Sequence, residues 1–443
     1  MKTAKLIIRN SAWLIIGEAI SRAFIFLLNV IVARAIGIAG FGKYNFAMSF
    51  ALIFSTINDL GLNTFIFREV ARDKKCLEKY VSNILLIRLC LSFVFFAIIF
   101  IVTKVLNYQN DVILLILLFT GWLCFTNLTY VFRTSFKALE VMGLDTIVNI
   151  SDNFLRLLIG IFAVSLGLGV FGLGAAYLFA AFVAFLLSLA LFIVKFTKIS
   201  FTFDLNIWKL ISREIKFFAL IEILMPLFGR FDTVIIARFN GDEAVGVYSA
   251  ALKVMLVLIC LPTFVVQSTF PKMSQYAFAY KNKFSNLIGY LLKFNLIITS
   301  LISFCIFMTA EQIIFFIYGM QYVAAVRVMQ ILIWSFPLFG FITIFIYGLN
   351  AKNEQKVNAI IIGCLVLFNV VLAIIVAPKF SYLGVAIASV ASLSLMSLAF
   401  ILYYVKKRHL SFINLKFSYN DYEVIKNILK NQLFKTNNDE TIK

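Results

Sequence analysis

The stretch VIVARAIGIAGFGKY, residues 30–44, closes an apolar run with an arginine and a series of small, turn-forming residues, and a close copy, VIIARFNGDEAVGVY, stands at 234–248. At a fixed offset of 204, residues 18–47 match residues 222–251 at ten of thirty positions, among them Glu18/Glu222, Arg34/Arg238, Gly37/Gly241, Gly42/Gly246 and Tyr44/Tyr248. Two unrelated segments of this composition share about two or three identities by chance. A weaker echo pairs LGAA at 173–176 with LGVA at 383–386. The chain therefore reads as two copies of one helical unit. In both copies the arginine closes one helix near its carbonyl end, where a cation suits the helix dipole, and the glycines mark the turn into the next.

Composition says what those helices cross. Of 443 residues, 62% are hydrophobic, fifty are phenylalanine and only 14% are charged, with a mean hydropathy of +0.98. Soluble chains run at about half apolar and a quarter charged. A bilayer accepts apolar side chains all round a helix, provided the backbone satisfies itself internally. The apolar run after the basic start MKTAKLIIRN has no small-residue cleavage site and continues to Ala33, so it reads as a retained first crossing.

Twelve windows of roughly twenty residues can span hydrocarbon about 30 Å thick: 11–33, 44–66, 82–103, 112–132, 146–166, 172–194, 217–238, 246–270, 285–308, 324–349, 357–377 and 381–405. The expected fold is an all-α polytopic membrane protein with two pseudo-symmetric six-helix bundles, residues 1–200 and 201–410, around a central cavity, and a cytoplasmic tail, 411–443. Parallel repeats of this kind suit two bundles that rock about a central substrate site. Connections on the side of the termini carry 28 Lys and Arg, the opposite side only Arg34, Lys43, Lys104 and Lys379; both termini are expected in the cytoplasm. The same asymmetry accounts for the net charge of +19 without nucleic acid as a partner.

Enzyme chemistry finds little purchase. The six cysteines form no C-x-x-C pair and read as small buried apolar residues, the only histidine is His409, and no G-x-x-x-x-G-K-[ST] loop is present. No metal site, cofactor or encoded ATPase is expected.

The segments RNSAWLIIGEAISRAFIFLLNVIVARAIGIAGFGKYNFAMSF at 9–50, NDLGLNTFIFREVAR at 58–72, FFIYGMQYVAAVRVMQIL at 315–332 and YLGVAIAS at 382–389 resemble the polysaccharide transporter family, the O-antigen and lipid-linked oligosaccharide flippases of the multidrug/oligosaccharidyl-lipid/polysaccharide exporter superfamily. The resemblance implies a bacterial inner-membrane flippase. It would carry an undecaprenyl-diphosphate-linked O-antigen or capsule-type repeat unit from the cytoplasmic to the periplasmic face, with a glycan polymerase and a chain-length regulator as expected partners. It also implies that the first, second, seventh and eighth helices line the cavity.

Charges inside the spans are the candidate site, because each costs about 2.5–3.5 kcal/mol at a helix centre. Glu18 and Arg22 share a face of the first helix as an i,i+4 pair; a structural ion pair and a cavity role both stay open. In the second copy Glu222 is retained, Pro226 replaces Arg22, and Arg230 brings the positive charge one turn later. Arg230, Arg22 and Lys253 are the expected ligands of a diphosphate, since guanidinium groups grip phosphate oxygens without losing a proton. Asp232 should point away from Arg230. Asp152 and Arg156 read as a structural pair, and Arg88, Lys293 and Arg327 as snorkelling side chains near helix ends. Asp59, Gly61, Pro226 and Pro262 are hinge or gate candidates. Eight basic against five acidic residues within the spans favour an anionic substrate over the alternative, a drug or cation antiporter of the same superfamily. A membrane O-antigen polymerase or ligase is the third reading, disfavoured by the lack of a long external loop.

Overall fold

The computed structural model describes residues 2–196, 204–205, 207–209, 211, 229–407 and 409. Fourteen α-helices are named here: α1 Lys2–Phe54, α2 Thr56–Asp59, α3 Leu62–Arg72, α4 Leu77–Val105, α5 Asn110–Ala138, α6 Met142–Ser165, α7 Gly169–Lys195, α8 Arg230–Leu258, α9 Cys260–Ala279, α10 Lys281–Met308, α11 Ala310–Tyr318, α12 Ala324–Leu332, α13 Ser335–Ala351 and α14 Gln355–Lys406. Among the described residues there is no strand, and the chain is an all-α polytopic membrane protein.

Among the described residues nine stretches are long and apolar enough to cross a bilayer, and three of them, of 39, 49 and 52 residues, would each measure about 60–80 Å if straight. Each contains a non-helical residue, Gly37 (φ 71°) in α1, Gly241 (φ 80°) in α8 and Ser381 (φ 50°) in α14, and the 49-residue stretch is interrupted a second time at Ile259. Gly37 and Gly241 sit at ψ −179°, a conformation essentially closed to residues with a Cβ. The side chains that meet no protein partner are large and apolar, such as Phe93 at 77%, Val194 at 83% and Leu367 at 65% exposure. Bilayer hydrocarbon makes that arrangement favourable.

The chain divides into two compact units. The first comprises residues 1–253, 311–328 and 366–388. Its core takes apolar faces from α3, α4, α5 and α7, with a phenylalanine file that includes Phe132, Phe136, Phe185 and Phe192. Here the two copies of the repeated string touch. A Cβ added to Gly42 would lie 1.7 Å from the carbonyl oxygen of Asp242, and one added to Gly246 would lie 2.1 Å from that of Ile38. Gly246 is Gly42 shifted by 204 and Asp242 is Ile38 shifted by 204, so each turn seats its glycine on the same carbonyl of the other. Arg34 then reaches a different helix end from its own: its Nε donates to the Ile317 carbonyl at 2.8 Å and Nη2 to that of Phe316, at the C-terminus of α11. Tyr322 Oη donates to the Ala33 carbonyl at 3.0 Å, over a ring cluster of Phe41, Tyr318 and Tyr322.

The second unit comprises residues 254–310, 329–365 and 389–443. In it α13 packs on α9 and α10. Gly340 admits the closest approach, its Cβ position lying 1.9 Å from Asn295 Oδ1, while Asn295 Nδ2 donates to the Pro337 carbonyl at 3.0 Å.

Three expectations change. The second crossing does not run unbroken to residue 66: Leu60 (φ 44°) and Gly61 (φ 84°) end it, and α3 starts afresh. Residues 324–349 form two helices, α12 and α13, with an interruption at Ile333–Trp334. The cysteines are free, but none is buried; Cys90, Cys305 and Cys364 are exposed, a position hydrocarbon tolerates as well as a protein core does.

Candidate functional site

The cationic candidates fall into two groups, those with a partner and those without. Arg22 Nε binds Glu18 Oε1 at 2.7 Å along one face of α1, with both side chains about half exposed. Arg156 bridges to Asp152 within α6, deeply buried, and its guanidinium lies 5.0 Å from the Trp122 ring and 5.4 Å from that of Tyr177, whose hydroxyl meets that of Tyr44 at 2.7 Å. Both i,i+4 pairs are as the spacing predicts.

Arg230 and Lys253 form the other group. Arg230 opens α8, and Lys253 stands on the same helix after its break at Gly241. Across the break the two cations lie within electrostatic reach of each other. Both are half-buried, and among the described residues no carboxylate pairs with either. Asp232, two residues from Arg230, faces the other way: it is 1% exposed and accepts from Tyr248 Oη at 2.9 Å. Two neighbouring cations in an apolar setting repel each other and lose hydration, so the arrangement is relieved by a ligand carrying two or more negative charges. Arg230 supplies a planar fork and Lys253 a point charge.

Glu222 and Pro226 lie outside the described residues. Pro262 stands in the first turn of α9, just after the chain interrupts its helix at Ile259; its missing N–H leaves the Leu258 carbonyl without its ordinary donor. Gly61 caps α3 in the left-handed region.

Arg88 and Lys293 correct the snorkelling expectation, because Arg88 is completely buried and Lys293 is 6% exposed. Windows starting at 82 and 285 place them within two turns of an end; the helices begin at Leu77 and Lys281, which sets both about three turns deep. Arg327, near the start of α12, is exposed as expected. Arg88 is the residue that sequence reasoning missed. Its Nη2 donates to Asp59 Oδ1 at 2.6 Å and to Asn63 Oδ1 at 2.9 Å, one on each side of the Leu60–Gly61 break, and Nη1 donates to the Asn127 carbonyl. Asn58 Nδ2 adds a bond to Ser92 Oγ at 3.0 Å, and Thr134 Oγ1 donates to Asn63 Oδ1 at 3.3 Å. The broken helix is thus held by α4 and α5 through polar groups flanking the break. Among the described residues no three His, Cys, Asp or Glu side chains gather to hold a metal.

Comparison with known proteins places this arrangement. The profile of the polysaccharide biosynthesis protein family matches residues 7–277, and that of the MatE family matches 218–375. No curated protein matches the chain by sequence. Among solved structures, the lipid II flippase MurJ in an inward closed conformation superposes with a TM-score of 0.75 at 15% identity, covering 96% of this chain and 93% of its own. A multidrug resistance MATE transporter of the MOP superfamily, inward-facing, gives 0.69 at 17%, covering 89% and 97%. A MOP-superfamily transporter from Pyrococcus furiosus gives 0.60 at 17%, covering 91% and 95%. At these identities the likeness is one of fold. With the family profile matching well over half of its length, the chain belongs to the polysaccharide biosynthesis protein family, and its fold is that of the MurJ and MATE structures.

Proposed function

We propose that the protein is a flippase carrying a polyprenyl-diphosphate-linked oligosaccharide, an O-antigen or capsule-type repeat unit, from the cytoplasmic to the periplasmic face of a bacterial inner membrane by alternating access of two six-helix bundles. The observation that carries this reading is the pair Arg230 and Lys253, which has no carboxylate partner among the described residues. Two cations within electrostatic reach of each other suit the two linked phosphates of such a lipid, and would repel the organic cations that an antiporter exports. Arg22, with Glu18 as its counter-ion, is the third phosphate ligand, released from Glu18 when substrate enters. The topology, with both termini cytoplasmic, rests on the 28-to-4 distribution of basic residues. The role is transport rather than catalysis, as for the families the chain resembles.

The test is glycan display in a bacterium deleted for its own flippase and supplied with this chain. Arg230→Ala and Lys253→Ala should each abolish surface glycan while membrane protein level is unchanged, and Arg230→Lys should restore part of it. Full display by both alanine variants overturns the assignment. Cation-drug resistance conferred by the chain, with no glycan display, would select the antiporter instead.

A further inference from the structure

The contact between the two repeated turns carries more than architecture. Gly42 and Gly246 seat backbone on backbone, so close that no side chain fits on either glycine. The surface beside this contact is charged. Lys43, next to Gly42, forms an ion pair with Asp111 at the start of α5, and it lies over the Phe171 ring at 5.8 Å. Asp242, whose carbonyl receives Gly42, is half-buried, and its carboxylate interacts with both Lys43 and Asp111. Glu243 beside it is exposed, Arg238 on the preceding turn acts on Tyr108, and Arg34 is taken by the carbonyls of α11. The closed contact therefore gathers two carboxylates around one lysine.

We propose that the Gly42–Gly246 contact is the outer gate of the transporter, and that the Asp111–Lys43–Asp242 group beside it makes gate closure favour uptake of one proton from the outside. When the gate is closed, partial burial disfavours the Asp242 charge and Asp111 adds like-charge repulsion, while Lys43 offsets only part of this; adding a proton to an Asp242 carboxylate oxygen relieves the burial cost and the repulsion together. When the turns part, Asp242 returns to water and gives the proton back to the same side. The closed form is thus the protonated form. Acid on the outside holds the gate shut, and the ratio of open to closed molecules rises by up to about tenfold per pH unit, the limit for one linked proton. This inference rests on the alternating-access reading for what lies behind the gate, and it adds what governs the gate.

Spin labels at Ala35→Cys and Phe239→Cys, exposed positions 204 apart on the two turns, report the gate in the full chain reconstituted in nanodiscs, with the six native cysteines replaced. Pulsed EPR distances from about pH 5.5 to about pH 8.5 should show the longer population growing with pH within that one-proton limit. Asp242→Asn should abolish the pH response and keep the short distance, whereas Lys43→Gln, which leaves two carboxylates uncompensated, should shift the balance to the open form at neutral pH. Gly42→Ala should give the long distance at every pH. A distribution insensitive to pH, or an unchanged response in Asp242→Asn, overturns proton control; a short distance retained by well-folded Gly42→Ala overturns the contact as the gate. Glycan display is scored separately, so a normal EPR response without display would sink the flippase reading and leave the gate standing.

Discussion

Removing the Arg88 guanidinium should be the most damaging single change in the first unit. In Arg88→Met the side-chain volume is largely kept, so the loss is electrostatic rather than a cavity. Three acceptors lose the guanidinium together: the Asp59 carboxylate, the Asn63 amide oxygen, which keeps Thr134 as a donor, and the Asn127 carbonyl. Breaking a buried ion pair by deleting one member costs about 3–5 kcal/mol. Asp59 retains 29% side-chain exposure and recovers part of its hydration, which moves the expected cost to the low end, about 3 kcal/mol. That is a large share of a total stability of about 5–15 kcal/mol. Asp59→Asn keeps an acceptor for Arg88 and should cost about half as much. In Arg88→Met/Asp59→Leu no charge is left, so the double variant should be less destabilised than the sum of its single changes. The assay is reversible denaturant or thermal unfolding of the purified chain in one detergent, with five proteins side by side: the parent, Arg88→Met, Asp59→Asn, Asp59→Leu and the double variant. If Arg88→Met unfolds within about 1 kcal/mol of the parent, or if the two single effects simply add, then Arg88 does not hold the break and the reasoning fails.

Gly340→Ala should force Asn295 off the Pro337 carbonyl and destabilise the second unit by about 1–3 kcal/mol, the cost of a buried amide without its partner; in an Asn295→Ala background the same substitution should cost clearly less, and equal effects in both backgrounds would refute the contact. His409, just beyond the end of α14, has its pKa held below the ordinary 6.5 by burial and by Lys352, with Glu354, 3.2 Å from its Nε2, opposing. The unfolded chain therefore takes up more protons than the folded one as pH falls below 6.5, and stability should decline through that window. His409→Gln should flatten the decline, as followed by melting temperature against pH.

Much of this molecule is legible along the chain. Periodicity is not needed to find a crossing helix, because the bilayer imposes length and apolarity, and the windows that fall within the described residues have their counterparts among the long apolar helices; most of the window 217–238 lies outside the described residues. The repeated string located its own two turns, since a glycine at Gly37 and Gly241 is demanded by local backbone conformation alone. The i,i+4 pairs Glu18–Arg22 and Asp152–Arg156 follow from helix geometry, as does the opposed direction of Arg230 and Asp232. Each of these depends on residues close in sequence, where local rules hold.

What the tertiary structure decided are the meetings of residues far apart in sequence. Arg88 reads as a side chain near a helix end until α4 is seen to start at Leu77, and its partners at 59, 63 and 127 come from three other elements. That Gly42 rests on Asp242, that Arg34 closes α11 rather than its own helix, and that Lys253 comes beside Arg230 depend on packing over some 20 to 280 residues of chain. Hydropathy carries no record of such pairings, because in a membrane every helix is apolar all round and the face it turns to its neighbours is chosen by shape and by the few polar groups that must find one another.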